Sequence, residues 1–376
     1  MLGTNHLATV GTALALALGS FPCAAQGLRV SHLYNLSDFS GALPFNASRV
    51  YSDPVWNEVY VLYQGRVRIF NAAGMEVFAF GDDDALGFPL DIAVAEDGSI
   101  FVLSYDYSDP TVRTRYYVSH CNYRGEFLRR IEISGQPEQF ASLQPDRMLY
   151  AGGRLHLLGT RQLELVTIDR DGHYLSGIDF EPSILAPGES VDNLTINGLS
   201  IDDTGTIYFS VAVKFRVYRM TPDGAVTAFG ESGSSAGQFG VIGGLDTDGS
   251  GNIYVTDRVR NTVMVFDPEF RFLTEFGYRH SGPDGLVRPQ DVISGSSGKL
   301  YITQVGNRGI AVFQIDHDDS PAADPDRDAA STERRCRSAK SSHLITREFQ
   351  STTMVSTFQR VNDSKRHGRP AANPRT

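Results

Sequence analysis

Short runs of alternating apolar and polar residues, broken by Gly, Asp and Asn, recur along this chain in groups of four. The clearest group is GLDTDGSGNIYVTDRVRNTVMVFDPEFRFLTEFG, residues 244–277. It reads as a short inner strand over 244–247, a turn, and a strand over 252–256. A charged loop over 257–261, a strand over 262–266, a turn over 267–270 and a last strand over 271–276 complete it. Related runs start at Asp91 (DIAVAEDGSIFVLS), Gly198 (GLSIDDTGTIYFS) and Asp291 (DVISGSSGKLYITQ). Runs this short predict antiparallel strands, and a spacing of about 45 residues predicts one supersecondary unit stacked on itself.

Two independent turn signals keep the same offsets from unit to unit. The first ends in Gly98, Gly153, Gly205, Gly251 and Gly298, and the second in Gly74, Gly125, Gly172 and Gly224. Glycine supplies the positive φ that tight hairpins need. Six units follow, at about 47–81, 90–134, 144–181, 197–230, 242–277 and 290–316. The last has only three strands, and RVSHLYNL (29–36) supplies the fourth. The expected fold is all-β: a six-bladed β-propeller of four-stranded antiparallel blades over 26–316, closed by an N-terminal strand so that no sheet edge is left open.

IYVTD (253–257), Asn261 and VMVF (263–266) resemble the NHL repeat, as do the linkers GSSAGQFG (233–240) and SGPDGLVRPQ (281–290). The resemblance is close only for 242–277 and 290–316, and the middle residue of the eponymous motif is Thr262 here. It implies a six-bladed propeller that serves as a platform for proteins, peptides or nucleic acid. A minority of related propellers are metal-dependent lyases, lactonases or hydrolases.

Composition narrows the partner. Residues 316–376 hold 9 acidic and 11 basic residues, so the remaining 35 acidic and 23 basic residues leave the propeller near −12, which argues against nucleic acid. Residues 1–25 carry no Asp, Glu, Lys or Arg. An apolar run over 12–19 is followed by Cys23-Ala24-Ala25, the pattern of a signal peptide. A secreted or periplasmic monomer with no transmembrane segment in the mature chain is expected. The stretch 317–376, rich in Ser, Thr and Arg and without apolar periodicity, reads as a disordered tail. Cys23, Cys121 and Cys336 form no disulfide framework or CxxC motif.

Candidate chemistry follows from the ring. Aligning the units on their first turn places Val50 (beside Arg49), Asp91, Asp146, Gly198, Gly244 and Asp291 at the channel mouth, with Asn197 adjacent. Asp91, Asp146 and Asp291 could hold a divalent cation such as calcium, or a cationic ligand. Each aspartate could equally accept a backbone N–H in its entry turn. Loops on the same face carry Tyr105, Asp106, Tyr107, Arg113, Arg115, Arg161, Lys214, Asp257, Arg258, Arg260, Asn307 and Arg308, a basic, tyrosine-bearing rim suited to a protein or peptide partner.

An enzyme is the lesser expectation. Relatives that amidate peptides use a histidine-bound zinc. Of His32, His120, His156, His173 and His280, only His156 and His280 fall near the channel. The lactonase-like calcium set is imitated by Asp91, Asp146, Asn197 and Asp291, but no Glu stands among them. No Cys/His pairing at meaningful spacing marks a nucleophile. No catalytic residue is therefore assigned.

Overall fold

The structure, a computed structural model, describes residues 28–38, 41–42, 49–53, 55–81, 86–106, 115–306 and 308–317. The export segment and, beyond His317, the tail expected from the sequence lie outside the described residues. Among those described, no helix is long and apolar enough to cross a membrane.

The strands come in the expected groups of four. After β1 (Leu28–Asp38) and β2 (Gly41–Ala42), blade 1 is β3 (Arg49–Asp53), β4 (Glu58–Tyr63), β5 (Arg66–Phe70) and β6 (Glu76–Phe80). Blade 2 is β7 (Phe88–Val94), β8 (Ile100–Asp106), β9 (Arg115–Cys121) and β10 (Phe127–Glu132). Blade 3 is β11 (Arg147–Ala151), β12 (Arg154–Gly159), β13 (Glu164–Ile168) and β14 (Tyr174–Asp179). Blade 4 is β15 (Ile196–Ile201), β16 (Ile207–Val211), β17 (Arg216–Met220) and β18 (Val226–Phe229). Blade 5 is β19 (Ile242–Thr247), β20 (Ile253–Asp257), β21 (Thr262–Phe266) and β22 (Phe272–Phe276). Blade 6 is β23 (Pro289–Ser294), β24 (Lys299–Gln304) and β25 (Ile310–His317), and β1 is its fourth strand.

Ring closure is antiparallel, from Leu28 opposite His317 to Leu36 opposite Ile310, with one bulge between His32 and Tyr34. This is the N-terminal strand expected from the sequence. It pairs the edge that β25 would otherwise expose.

The core is a set of six apolar layers, one between each pair of neighbouring blades. Leu36 of β1 is buried with Val59, Val61 and Val312 in the layer that joins blade 6 to blade 1. Middle strands are covered on both faces. β21 is therefore buried throughout, while the outer β22 is mostly half-exposed, so strict alternation holds only loosely at the centre of a blade. Linkers contribute plugs: Leu86, Phe140, Phe180, Phe239 and Leu286 are each buried in an interblade layer. This explains the apolar residue in the GQF and DGL linkers.

The Asp or Asn that opens many of these turns has a local cause. Oδ1 of Asn71, Asn122, Asp169, Asp202, Asp248 and Asp267 accepts the N–H two and four residues later. Blade 3 departs from this pattern in its first hairpin. Two glycines with positive φ, Gly152 and Gly153, join β11 directly to β12, where blade 2 spends five residues.

Candidate functional site

The site begins with the backbone of the inner strands. β7, β15, β19 and β23 each carry a register shift near the channel mouth, between Pro89 and Asp91, Ile196 and Gly198, Ile242 and Leu245, and Pro289 and Asp291. β3 and β11 pair without one, Arg49 facing Leu62 and Arg147 facing Leu158. The wall position therefore reads Arg49, Asp91, Arg147, Gly198, Gly244 and Asp291 around the ring.

This corrects the ring read from the sequence. The short hairpin of blade 3 moves its register by one residue, so Arg147 stands where Asp146 was expected. Asp146 turns into its own blade, with Oδ1 accepting Thr160 N–H at 3.0 Å and Oδ2 accepting Thr160 Oγ1–H at 2.6 Å. Asn197 keeps its place in the channel lining, and its Oδ1 accepts the N–H of Ala212 at 2.8 Å.

Arg147 reaches from blade 3 to blade 6, where Nη1 donates to Asp291 Oδ2 at 3.0 Å. Asp91 accepts Ile92 N–H at 2.9 Å and, from the next blade, Met148 N–H at 2.8 Å. Burial pushes the Asp91 carboxyl upward, against the pull of Arg147, Arg49 and those two N–H groups. Burial works against the Arg147 cation, but Asp291 and Asp91 outweigh it and hold its pKa above the usual value. Arg49 is lowered, by burial first and by repulsion from Arg147 second. Two guanidinium groups and two carboxylates thus interlock across the channel.

That set does not suit calcium, which wants several oxygens around one point without competing cations. Arg147 occupies Asp291, and Asp146 is turned away. Among the described residues no three His, Cys, Asp or Glu side chains come together as a metal-binding group.

Below the ring a cavity of about 190 Å³ is lined by Asp246, Ser200 and Ser294 as well as Asp91, Arg147 and Asp291. Asp246 joins three blades: it accepts Ser200 Oγ–H at 2.6 Å, Thr247 N–H at 2.8 Å and Ser294 N–H at 2.7 Å. Burial outweighs these donors and raises its carboxyl to about 6. Sequence reasoning missed Asp246; its signal was an acidic residue two positions after a channel glycine in an otherwise apolar strand.

The rim residues divide into two sets. Arg260 is spent internally: it donates to Ser235 O and Gln238 O and pairs with both oxygens of Glu275 at 2.8 Å. Arg308 donates to the carbonyls of His280 and Gly282, and Lys214 pairs with Glu189 at 2.5 Å. Buried Asp257 accepts N–H groups from Gly240, Val241, Val259 and Arg260. These four secure the loops. Arg115 and Arg161 are exposed, and Arg258 is half-buried. Tyr107, Arg113 and Asn307 lie outside the described residues.

Blade 2 builds an aromatic shelf at the mouth. Phe88, 55% exposed, stacks on Tyr105 at 5.2 Å, and Tyr105 contacts Tyr116 at 6.3 Å. The shelf leads into a hollow of about 600 Å³ lined by Arg115, Tyr116, Glu132, Ile133 and Leu143. The sequence named Tyr105 and Arg115 but not Phe88, which looks like an ordinary strand residue until its neighbours are placed.

The histidines stay apart. His156 contacts Thr167 Oγ1 at 3.0 Å and lines the face opposite the mouth, and burial lowers its pKa. His280 lies beside Asp284 at 3.4 Å in an outer loop. His120 stacks on Phe101 at 4.9 Å, its pKa lowered by burial. On that opposite face a cavity of about 1050 Å³ lies where the blade 3 hairpin is short. In its lining, Oδ1 of Asp53 and of Asp202 accepts backbone N–H groups, while Oδ2 of Asp53 is buried without a hydrogen-bond partner among the described residues. The mouth, where Phe88, Arg115 and Arg161 stand exposed, is the better candidate.

No family model and no curated protein matches the sequence. Solved structures do match in fold. A protein of unknown function from Bacteroides thetaiotaomicron is 14% identical, with 77% of this chain and 76% of that one covered at a TM-score of 0.54. Virginiamycin B lyase from Staphylococcus aureus is 10% identical, covering 77% of this chain and 99% of its own at 0.47. A gluconolactonase from Xanthomonas campestris is 15% identical, covering 78% and 92% at 0.47. At these identities the likeness is one of fold.

Proposed function

We propose that this protein is a rigid binding platform that takes a protein or peptide partner on its channel-mouth face, at the shelf and hollow of blades 2 and 3. The carrying observation is the exposed stack of Phe88 on Tyr105 beside Arg115. Aromatic and Arg side chains held on strands give large contact area at little cost in ordering. The NHL-like pattern of blades 5 and 6 supports the same reading. The apolar run and small residues within 1–25 support export as its setting.

A hydrolase or lyase reaction draws no support from the ring, whose carboxylates are matched to guanidinium groups and do not form a ligand set. The test compares wild type with Phe88→Ser/Arg115→Glu in cross-linked pull-downs from the native source. We expect one partner, retained by wild type, to be lost from the variant while both unfold at the same temperature. Equal retention would reject the shelf as the docking surface.

A further inference from the structure

On the side of the mouth opposite the shelf, blades 5 and 6 enclose a hollow of about 450 Å³ lined by Arg258, Arg279, Arg288, Asn261 and three valines. No acidic side chain lines it, although the whole chain carries a formal charge of −10. Each of the three guanidinium groups lacks a carboxylate partner among the described residues. The Nε of Arg258 is buried without a hydrogen-bond acceptor, and burial lowers the pKa of this group, with Asp291 acting against it and Arg147 with it.

The backbone around the hollow is held in place from two sides. Asn261 Oδ1 accepts Arg288 N–H at 2.8 Å, Gln304 Oε1 accepts Val287 N–H at 2.9 Å, and Val287 O accepts Val305 N–H at 3.0 Å. These bonds keep Arg288 at φ +44°, a left-handed conformation that costs a non-glycine residue energy. Arg258 gains its room from Gly243, where a Cβ would stand 3.3 Å from its Nε. Three arginines thus line one hollow on constrained backbone, with no acidic side chain among the described residues of its lining.

The geometry points to a binding site for a phosphate or sulfate monoester of a small molecule. Guanidinium forks match the terminal oxygens of such a group, and three of them suit a tetrahedral oxyanion better than a two-oxygen carboxylate. The valines would cover an apolar ester substituent. The site rests on none of the shelf residues, so it stands or falls apart from the partner docking proposed above.

The test is calorimetric titration of the full chain at low, constant ionic strength with inorganic phosphate, inorganic sulfate, phenyl phosphate, phenyl sulfate and benzoate. We expect saturable binding of one aryl ester or both, tighter than benzoate by about tenfold or more. Arg279→Gln and Arg288→Gln should each weaken it by about tenfold, the loss of one charged hydrogen-bonding partner. Arg161→Gln, an exposed arginine away from the hollow, and Phe88→Ser should leave it unchanged. Absence of saturation with all four phosphate and sulfate probes, benzoate binding as tightly as the aryl esters, or equal weakening by Arg161→Gln would each overturn the proposal.

Discussion

Around the channel, blades 1 to 3 place Arg49, Asp91 and Arg147 at the wall, while blades 4 and 5 place glycines there. In the glycine half the inner strands approach closely. A Cβ on Gly198 would stand 2.8 Å from Gly244 Cα, and one on Gly244 would stand 2.6 Å from Asp291 Cγ. In the charged half, side chains fill the space, and Arg147 crosses the channel to Asp291 of blade 6. One repeat position thus serves backbone packing in one arc of the ring and ion pairing in the other. A ring position inherited through a repeat is a place, and its chemistry depends on what stands across the channel.

The largest effect should come from the charged half. Arg147→Ala leaves Asp91 and Asp291 without their shared cation in a mostly buried site, and should cost about 3 kcal/mol in urea unfolding. A loss below about 1 kcal/mol would mean that water replaces the arginine freely.

The next effect belongs to Asp246, which ties the glycine half together. Its carboxyl sits at about 6 when folded, above the ordinary 3.8, so the folded state holds its proton more tightly than the unfolded chain. Stability from this group is full below about pH 4 and is lost as pH rises through 6, by about 2–3 kcal/mol. Wild type should therefore lose that much more than Asp246→Asn between pH 4 and 7, and parallel pH curves would remove Asp246 as the cause.

Gly198→Ala should cost about 2 kcal/mol by overpacking against blade 5. The control is Gly249→Ala, in a turn where a Cβ meets nothing, which should be neutral within about 0.5 kcal/mol. Equal losses in the two would show that close approach to blade 5 does not explain the cost at Gly198. The smallest effect should be Asp146→Asn, about 1 kcal/mol from weaker capping of Thr160. Urea unfolding checks it, and a loss above about 2 kcal/mol would mean that Asp146 holds more than Thr160.

Much of the propeller was readable because its signals are local. The Asp-x-x-Gly turns close on their own backbone, as Asp248 does with Ser250 and Asn252, so their spacing alone reports the blade. The N-terminal strand was readable because blade 6 lacked a fourth strand. The site was less legible. Arg260 and Arg308 look like free rim charges in the sequence, but their acceptors lie in linkers 22 to 28 residues away. Phe88 became a shelf only when stacked on Tyr105, 17 residues later. Arg279 and Arg288 carry no motif.

By itself the sequence determined the number of blades, the strand boundaries to within a few residues, and the way the ring closes. Hairpin turns and alternating runs are settled by neighbours a few residues apart. Only the tertiary structure decided that Arg147 and not Asp146 faces the channel, that Arg258, Arg279 and Arg288 share one hollow, and which charges are already paired. Those outcomes depend on contacts between blades, where a hairpin two residues long shifts a register and a glycine lets two strands touch.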